Sequence, residues 1–362
     1  MPVRRTVLTG LSAIGLTSCA GLALPGGYDA VVAKEPRGAR SFATVGEAVA
    51  AAPGDRPFRI LVTAGEWRER VTVAVPNIEL VGEGRTATRI VFNASAGDKG
   101  PDGQPVGTFG TPTMTVRAAG FSAKRMTIAN DFDYVAHLPK PTADDKTGSS
   151  GSQAVALAVQ DEADRALFED VHLTGYQDTL FVNAGRSVFR GCTIEGSVDF
   201  IFGAGRAVFD GCEIVSRLRP GQDFNGYIAA PDTNRFQPYG ILFVDCRLTR
   251  EPGVAPHSVA LGRAWRRTGT FPDGKYGDPD AVGAAVYVRC WMDDHIVAEG
   301  WYPMGYNAKG GVRTQLQPED ARLYEFDSRG PGAGAATARR RILSPEQAKP
   351  FTAELVLDGW KP

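Results

Sequence analysis

A threefold repeat between residues 165 and 216 decides the fold. The stretch reads RALFEDVHLTGYQDTLFVNAGRSVFRGCTIEGSVDFIFGAGRAVFDGCEIVS, and three of its segments resemble one another: RALFEDVHLTG at 165–175, RSVFRGCTIEG at 186–196 and RAVFDGCEIVS at 206–216. Each segment alternates apolar and polar residues, which is typical of a short β-strand. A unit of about 20 residues cannot bury its own apolar face and must stack on copies of itself. The repeat therefore predicts an all-β fold, a single-stranded parallel β-helix with one repeat in each coil.

The repeat continues on both sides of this stretch. FVDCRL at 243–248 and YVRCWM at 287–292 match its centre, and KRMTIAN at 124–130 is an earlier copy. The later copies are spaced more widely, so we expect insertions in these coils, rich in Gly, Pro and charged residues. Long loops on a rigid scaffold usually carry binding residues. An antiparallel sandwich with chance similarity is the alternative, and the three matches in phase make it the weaker one.

Four cysteines share one position of the repeat: Cys192, Cys212, Cys246 and Cys290. Neighbouring coils stack roughly 4.8 Å apart, the spacing of strands in a sheet. That spacing lies within the range of about 4.4–6.8 Å between Cα atoms that a disulfide needs. The sequence therefore predicts a Cys192–Cys212 disulfide if the protein is exported. A ladder of free, buried thiols remains the alternative.

The N-terminal residues have the pattern of an export signal. MPVRR provides a positive start and TVLTGLSAIGLTS a short apolar segment. LTSC at 16–19 resembles a bacterial lipobox, which predicts that Cys19 carries a lipid and holds the protein at a membrane surface. An ordinary signal peptide, cleaved a few residues later, is the alternative. We expect a signal peptide at 1–18, a linker at 19–28 and one domain at 29–362.

Short helices are predicted to cap both ends of this domain, from SFATVGEAVAAAP at 41–53 and SPEQAKPFTAEL at 344–355. The second begins with Ser, Pro and Gln at positions that favour a helix start. The formal net charge is −1 and gives no basic face, so nucleic acid is set aside as a partner. The four histidines are not spaced as metal ligands and CxxC is absent, so we predict no metal and no cofactor.

Two aspartates lie one repeat apart in otherwise apolar sequence. Asp178 and Asp199 are separated by 21 residues and Gln153 and Gln177 by 24, so each pair should project from the same face of neighbouring coils. Two close carboxylates do not both ionise easily, which suits an acid beside a nucleophile or base. Amide N–H groups can stabilise an oxygen that becomes negative during acyl transfer. Arg263 is the candidate cation that keeps one aspartate ionised.

The same spacing has a structural explanation. Stacked Asp and Asn residues occur as solvated turn groups in β-helices, and glutamines can cap strand ends. Spacing alone leaves both interpretations open.

Several motifs in one order resemble those of pectin methylesterases. They are GEWRERVTV at 65–73, QAVAL at 153–157, GYQDTLF at 175–181, GSVDFIFG at 196–203 and LGRAW at 261–265, and the likeness runs from about Asp29 to the C-terminus. The resemblance implies a right-handed parallel β-helix. It implies that Asp199 is the nucleophile on a galacturonate methyl ester and that Asp178 is the acid and then the base. Gln153 and Gln177 would form the oxyanion hole, and Arg263 would orient Asp199.

The resemblance also implies a sugar cleft. Phe202 and Trp265 would line it, because aromatic faces cover the apolar side of a pyranose. Phe181, where the family commonly has tyrosine, and Trp301 and Met304 in EGWYPMG are further candidates. Ala264 replaces a usual proline, which affects the stiffness of the loop. The implied partner is methyl-esterified homogalacturonan or its oligomers, bound by a monomer.

The start of the chain resembles that of outer-membrane members of the family, which implies a cell-surface lipoprotein, or otherwise a periplasmic or secreted enzyme. Two other functions remain open at this stage. One is an esterase or thioesterase of another substrate on the same scaffold, since a fold does not fix a substrate. The other is a polysaccharide-binding surface lipoprotein without activity, which would have no need for paired carboxylates. A lyase or polygalacturonase would require a different set of charged residues.

Overall fold

The computed structural model describes residues 27–138, 140 and 151–362. The predicted signal peptide, the lipid site at Cys19 and nearly all of the predicted linker lie outside these residues. Among the helices of the described part, none has the length and apolar character that crossing a membrane requires.

The described residues form 28 strands, which are numbered here in chain order. Their bounds are β1 Ala30–Val32, β2 Ser41–Phe42, β3 Phe58–Val62, β4 Gly65–Arg68, β5 Val71–Val73, β6 Ile78–Gly82, β7 Thr88–Phe92, β8 Met114–Val116, β9 Ser122–Asn130, β10 Leu157–Val159, β11 Ala166–Thr174, β12 Leu180–Val182, β13 Arg186–Arg190, β14 Thr193–Gly196, β15 Val198–Gly203, β16 Arg206–Asp210, β17 Glu213–Ser216, β18 Gly226–Pro231, β19 Ile241–Val244, β20 Arg247–Arg250, β21 Val259–Gly262, β22 Thr268–Phe271, β23 Gly274–Gly277, β24 Ala284–Val288, β25 Trp291–Met292, β26 Met304–Asn307, β27 Arg313–Leu316 and β28 Arg322–Phe326.

These strands wind into a parallel β-helix with three faces. The first face stacks β1, β3, β6, β9, β11, β13, β16, β19, β24 and β28, with β2 beside β1. The second stacks β4, β7, β9, β11, β14, β17, β20 and β25. The third stacks β5, β8, β10, β12, β15, β18 and β21. All these pairs are parallel, as the repeat predicts, and two antiparallel hairpins, β22–β23 and β26–β27, project from inserted loops.

An aromatic stack runs through the core where the repeat aligns its aromatic positions. Phe168, Phe189, Phe209, Phe243 and Tyr287 occupy one register position on successive strands. Their ring centroids are 4.6, 4.7, 4.8 and 4.3 Å apart, and all five side chains are buried. The period of the sequence therefore becomes the spacing of the coils, which lets each unit bury its apolar face on the next.

The aligned cysteines form a second ladder in the core. All four are buried free thiols, so the prediction of a Cys192–Cys212 disulfide is wrong and the alternative holds. The Sγ atoms of Cys192 and Cys212 donate to the carbonyl oxygens of Phe168 and Phe189, at 3.4 and 3.2 Å. The spacing between coils permits a disulfide. The thiols instead pack as small side chains in the core and donate weak hydrogen bonds to carbonyl oxygens of the preceding coil.

A left-handed residue turns the chain between the first and second faces in coil after coil. It precedes the inward-facing cysteine or its equivalent, and its φ lies between 51° and 59° at Arg125, Asp170, Gly191, Gly211, Asp245, Arg289 and Asp327. Two glycines adopt this conformation without steric cost, and the aspartates tolerate it better than most residues do. The turn thus recurs at a fixed position of the repeat although the residue type varies.

The described residues form three short α-helices, which lie near the two ends of this part of the chain. α1, Val45–Ala50, is capped by Thr44 and Glu47 and buries its apolar side in the core beside β1, β3 and β5, as predicted. α2, Pro345–Ala348, and α3, Ala353–Val356, begin at Ser344 and Thr352.

The C-terminal helices do not close the end of the coil, contrary to the prediction. Val356 and Leu357 pack on the outer side of the first face, against outward-pointing residues that include Val188, Val208 and Leu242. These outward residues are apolar, and burying them against a helix is favourable.

Candidate active site

The third face brings the five predicted catalytic residues to one cleft. Its central strands pair in the register Leu157, Leu180, Ile201, Ala229 and Gly262. The predicted residues lie at or just outside the ends of these strands. A cleft of about 220 Å³ is lined by Thr108, Phe109, Gln153, Gln177, Asp178, Asp199, Phe202, Ala230, Arg263, Trp265 and Met304. This volume is several times the roughly 30 Å³ of a water molecule, so it admits an esterified sugar carboxyl group.

Both aspartates have a left-handed backbone. The φ angles are 63° at Asp178 and 49° at Asp199. Asp199 lies within β15 where the pairing with β18 shifts register between Val198 and Ile201. Such a bulge redirects a side chain that regular alternation would point elsewhere. The left-handed backbone recurs at structural turns of the coil, and at these two positions, with the bulge in β15, it accompanies carboxyl groups that line the cleft.

Arg263 grips Asp199 with two hydrogen bonds. Its Nε donates to Oδ1 at 3.0 Å and its Nη2 donates to Oδ2 at 2.7 Å. Both residues are buried, with 3% and 5% of their surface exposed. The guanidinium carbon also lies 3.9 Å from the centroid of the Tyr227 ring. A bidentate ion pair of this kind fixes the plane of the carboxylate group and favours its charged form.

Asp178 has the opposite electrostatic environment. Burial at the floor of the cleft is the main cause that raises the pKa of its carboxyl group well above the ordinary value. The neighbouring charge of Asp199 raises this pKa further, and Arg263 opposes the shift. Because desolvation and a like charge both disfavour ionisation, Asp178 keeps its proton to a higher pH than an exposed aspartate does. The cleft therefore holds one carboxyl group that can donate a proton beside one that is paired with a cation.

The two glutamines are held by the ladder between coils. The N–H of Ala154 donates to the carbonyl oxygen of Gln177 at 3.1 Å, and the N–H of Asp178 donates to that of Val198 at 3.0 Å. Gln177 is only 3% exposed. These bonds fix the backbone from which the two side chains project, and amide N–H groups on adjacent coils can reach an oxygen of a bound ester in the cleft.

Aromatic residues form one wall of the cleft. The Phe202 and Trp265 rings meet edge to face with centroids 6.1 Å apart, and both line the cleft as predicted. Phe181 is buried beneath them, 4.7 Å from Phe202, and supports the wall without lining the cleft. Met304, at the start of β26, lines the cleft as predicted.

Trp301 lies elsewhere, and its predicted place in the cleft is wrong. It has no exposed surface, pairs with Gly262 on the third face and packs against Tyr287 at 5.7 Å between ring centroids. Its indole fills the core below the strand that leads to Arg263.

Three lining residues were missed by the sequence analysis. Thr108 and Phe109 come from the glycine-rich insertion between β7 and β8, and Ala230 from β18. Phe109 is 56% exposed, and its ring lies 5.1 Å from that of Phe181. An aromatic residue in a glycine-rich insertion was a usable signal, because such loops reach over the face of a rigid scaffold.

The fold and the cleft together define a carboxylic ester hydrolase built on a parallel β-helix. Residues 29–359 match the family model described as Pectinesterase, and the chain belongs to this family. It is 43% identical over 340 residues to Pectinesterase A of Dickeya chrysanthemi, with 92% of each chain covered.

Solved structures agree with this assignment. The pectin methylesterase from Erwinia chrysanthemi has 43% identity and a TM-score of 0.86, covering 92% of this chain and 98% of that one. The pectin methylesterase from Yersinia enterocolitica has 44% identity and a TM-score of 0.83, covering 88% and 99%. A pectin methylesterase solved in complex with a hexasaccharide is 43% identical, with a TM-score of 0.86 and coverage of 92% and 98%. The protein is therefore a pectinesterase, which hydrolyses galacturonate methyl esters of pectin to pectate and methanol.

Proposed function

We propose that Asp199 is the nucleophile of this pectinesterase and that Asp178 is its acid and base. The observation that carries the proposal is the contrast between the two carboxyl groups. Asp199 is held by two hydrogen bonds from Arg263, whereas burial and the charge of Asp199 raise the pKa of Asp178. Paired carboxyl groups whose environments separate their pKa values are the usual arrangement for nucleophile and acid.

In the first half-reaction, a carboxylate oxygen of Asp199 attacks the carbonyl carbon of the methyl ester. The carbonyl oxygen becomes negative, and the amide N–H groups of Gln153 and Gln177 stabilise it. As the tetrahedral intermediate collapses, the C–O bond to the methoxy group breaks and Asp178 gives its proton to that oxygen. Methanol leaves, and the galacturonate acyl group remains joined to Asp199 as an anhydride.

In the second half-reaction, Asp178 is ionised and accepts a proton from a water molecule. The resulting hydroxide attacks the acyl carbon, and the same amides stabilise the second oxyanion. The bond to Asp199 breaks, which restores the nucleophile and releases the galacturonic acid group, whose proton passes to solvent. Asp178 keeps the proton that it took from water and is ready for the next cycle. Arg263 keeps Asp199 in the orientation for attack throughout.

The polysaccharide is held by the walls of the cleft. Phe202, Trp265 and the exposed ring of Phe109 offer aromatic surface to the apolar side of the sugar rings. Met304 adds a flexible apolar contact. The cleft is open to solvent, which suits a polymer or its oligomers that extend beyond the reacting residue.

The variant Asp199→Asn tests the proposed nucleophile. It keeps the shape of the side chain and should abolish methanol release from esterified pectin, while circular dichroism at a temperature below its melting transition shows that the fold is retained. Wild-type turnover by this variant would overturn the mechanism. An acyl-thioester assay on the wild type serves as the control for the competing thioesterase function. Turnover of the thioester with no methanol release from pectin would favour that alternative.

We further propose that the enzyme is exported and carries a lipid on Cys19, acting as a monomer at a membrane surface, with residues 29–362 as one domain. The support is the apolar N-terminal segment followed by LTSC at 16–19. Mass spectrometry of the protein from the membrane fraction should find residue 19 acylated and N-terminal. A soluble mature protein that begins beyond residue 19 would instead indicate an ordinary signal peptide.

A further inference from the structure

The chain passes from the second face to the third through a turn that carries two residues of the cleft. This turn, residues 175–178, follows β11 and leads to β12, and is called the Asp178 turn here. Its last two residues, Gln177 and Asp178, line the cleft. The conformation of the turn therefore sets the direction of one amide group and one carboxyl group of the site.

Two neighbouring coils hold the Asp178 turn. The N–H of Ser197, on the next coil, donates to the carbonyl oxygen of Tyr176 at 2.8 Å. Arg217 directly follows β17, two coils beyond the turn. Its side chain reaches back across the intervening coil, and Nη1 donates to the carbonyl oxygen of Gly175 at 3.0 Å. The first residue of the turn is thus held by a side chain.

The Tyr176 ring lies between two flat groups. The Arg217 guanidinium carbon is 3.8 Å from the centroid of this ring. The Tyr134 ring stacks on it with centroids 5.0 Å apart and an angle of 7° between the planes. At these distances the two groups do not fit on one side of the ring, so they cover opposite faces. A cation–π contact therefore acts on the turn together with the hydrogen bond to Gly175.

Arg217 is itself fixed by neighbouring coils. Its Nε donates to Oε1 of Glu251 at 3.1 Å, and its backbone N–H donates to the carbonyl oxygen of Gly196 at 2.7 Å. Oε2 of Glu251 accepts a hydrogen bond from the N–H of Leu218 at 2.8 Å. A guanidinium group is planar and can stack on a ring while the N–H groups at its edge donate. An ammonium group cannot do both, so this set of contacts requires arginine.

We propose that Arg217 is a positioning residue for the reaction: it holds the Asp178 turn from the second face and thereby fixes the direction in which Gln177 and Asp178 point into the cleft. Arg217 is not among the described residues that line the cleft, so it acts on the ester only through the turn. The inference rests on the proposed function, because the two groups it positions are the oxyanion donor and the acid and base assigned there.

Arg217→Lys tests this role. The lysine keeps a cation that can pair with Glu251, but it cannot stack on Tyr176 and donate to Gly175 at once. We expect kcat for methanol release from esterified pectin to fall about ten-fold, because the reacting groups are less well oriented. KM should stay near the wild-type value, because the walls of the cleft are unchanged. Wild-type kcat in this variant, or a loss carried by KM, would refute the inference.

Arg289→Lys is the matched control for a role in stability alone. Arg289 donates from Nε and Nη2 to Asp245 on the adjacent coil, at 2.8 and 2.7 Å. It lies between the first and second faces, beyond the coil of Arg217, where it does not hold the Asp178 turn. The control should therefore keep kcat, whatever its melting temperature. An equal fall of kcat in both lysine variants would assign the effect to stability and overturn the positioning role.

Tyr176→Leu tests the route by which Arg217 acts. Removing the ring should also lower kcat with KM unchanged, and the double variant should lose clearly less than the product of the two single losses, because both changes break one contact. Losses that multiply would refute the route.

Asp178→Asn, assayed in parallel, separates this inference from the proposed function. Loss of activity in that variant with wild-type kcat in Arg217→Lys refutes the positioning role alone. Wild-type kcat in Asp178→Asn refutes the proposed acid and base and, with it, the target of the positioning.

Discussion

Asp178 and Asp199 directly follow Gln177 and Val198, two residues that pair with each other on adjacent coils. Gln177 forms a parallel bridge with Val198, and the next residue on each strand is an aspartate with a left-handed backbone. The two carboxyl groups are thus neighbours because the coil repeats, and they project because the backbone departs from regular strand geometry at both. The repeat of the coil brings the two carboxyl groups together. Their surroundings differ, because Asp199 is paired with Arg263 whereas the pKa of Asp178 is raised.

The raised pKa of Asp178 predicts the behaviour of an Asp178→Asn variant. Activity should fall by about 10²–10⁴-fold, because the proposed proton donor to methanol and the proposed base for water are the same lost group. In the wild type, kcat/KM should decline at high pH as Asp178 loses its proton, and that limb should be missing from the residual activity of the variant. Methanol release measured across pH gives both profiles. A variant that keeps the wild-type high-pH limb would assign the proton donor to another group.

The same shift has a consequence for stability. A carboxyl group whose pKa is raised by folding stabilises the protein below its unfolded pKa, and this stabilisation is lost as the pH rises through the folded pKa. Asn at position 178 carries no charge at any pH. The variant should therefore melt at a higher temperature than the wild type at neutral pH and show no such gain in acid. Melting curves at both pH values test the sign.

Replacing Arg263 by lysine should separate charge from geometry. Lysine retains a cation but cannot donate to both oxygens of Asp199 in one plane. We expect kcat to fall about 10²-fold with KM little changed, because orientation of the proposed nucleophile, Asp199, is lost while the cleft walls remain. Arg263→Ala should also destabilise the fold by about 3–5 kcal/mol, since it leaves a buried carboxylate unpaired. Equal kcat in the wild type and the lysine variant would remove Arg263 from its positioning role.

The four aligned cysteines should all react as thiols once the protein is unfolded. In the full-length Cys19→Ser variant, thiol titration in denaturant without reductant should give four thiols for each chain, and prior reduction should not raise the number. The folded protein should react slowly, because all four are buried. A count of two before reduction would indicate a disulfide.

The sequence predicted those features that follow from the period of the coil. The parallel stacking of the strands and the convergence of Gln153, Gln177, Asp178 and Asp199 both depend on residues one repeat apart. The sequence did not predict the positions of side chains that lie outside the repeated strands. Phe109 lies on an insertion whose path depends on tertiary contacts, and Trp301 belongs to a loop segment whose inward direction is set by its bridge to Gly262. The cysteines were close enough for a bond, but proximity does not determine how each thiol is oriented.

Trp265 and Trp301 provide a matched pair that tests the site assignment. Trp265 lines the cleft, whereas Trp301 is wholly buried below the neighbouring strand. Trp265→Ala should raise KM for esterified pectin about ten-fold while leaving the free energy of unfolding within about 1 kcal/mol of the wild type, because a sugar contact is lost and no cavity forms in the core.

Trp301→Ala should destabilise the protein by about 3–5 kcal/mol through the cavity it leaves. At a temperature where this second variant remains folded, its KM should stay near the wild-type value, because its side chain does not reach the substrate. Denaturant unfolding and methanol-release kinetics on both variants decide the matter: a raised KM in a stable, folded Trp301→Ala protein would return that residue to the cleft, and an unchanged KM in Trp265→Ala would remove the aromatic wall from sugar binding.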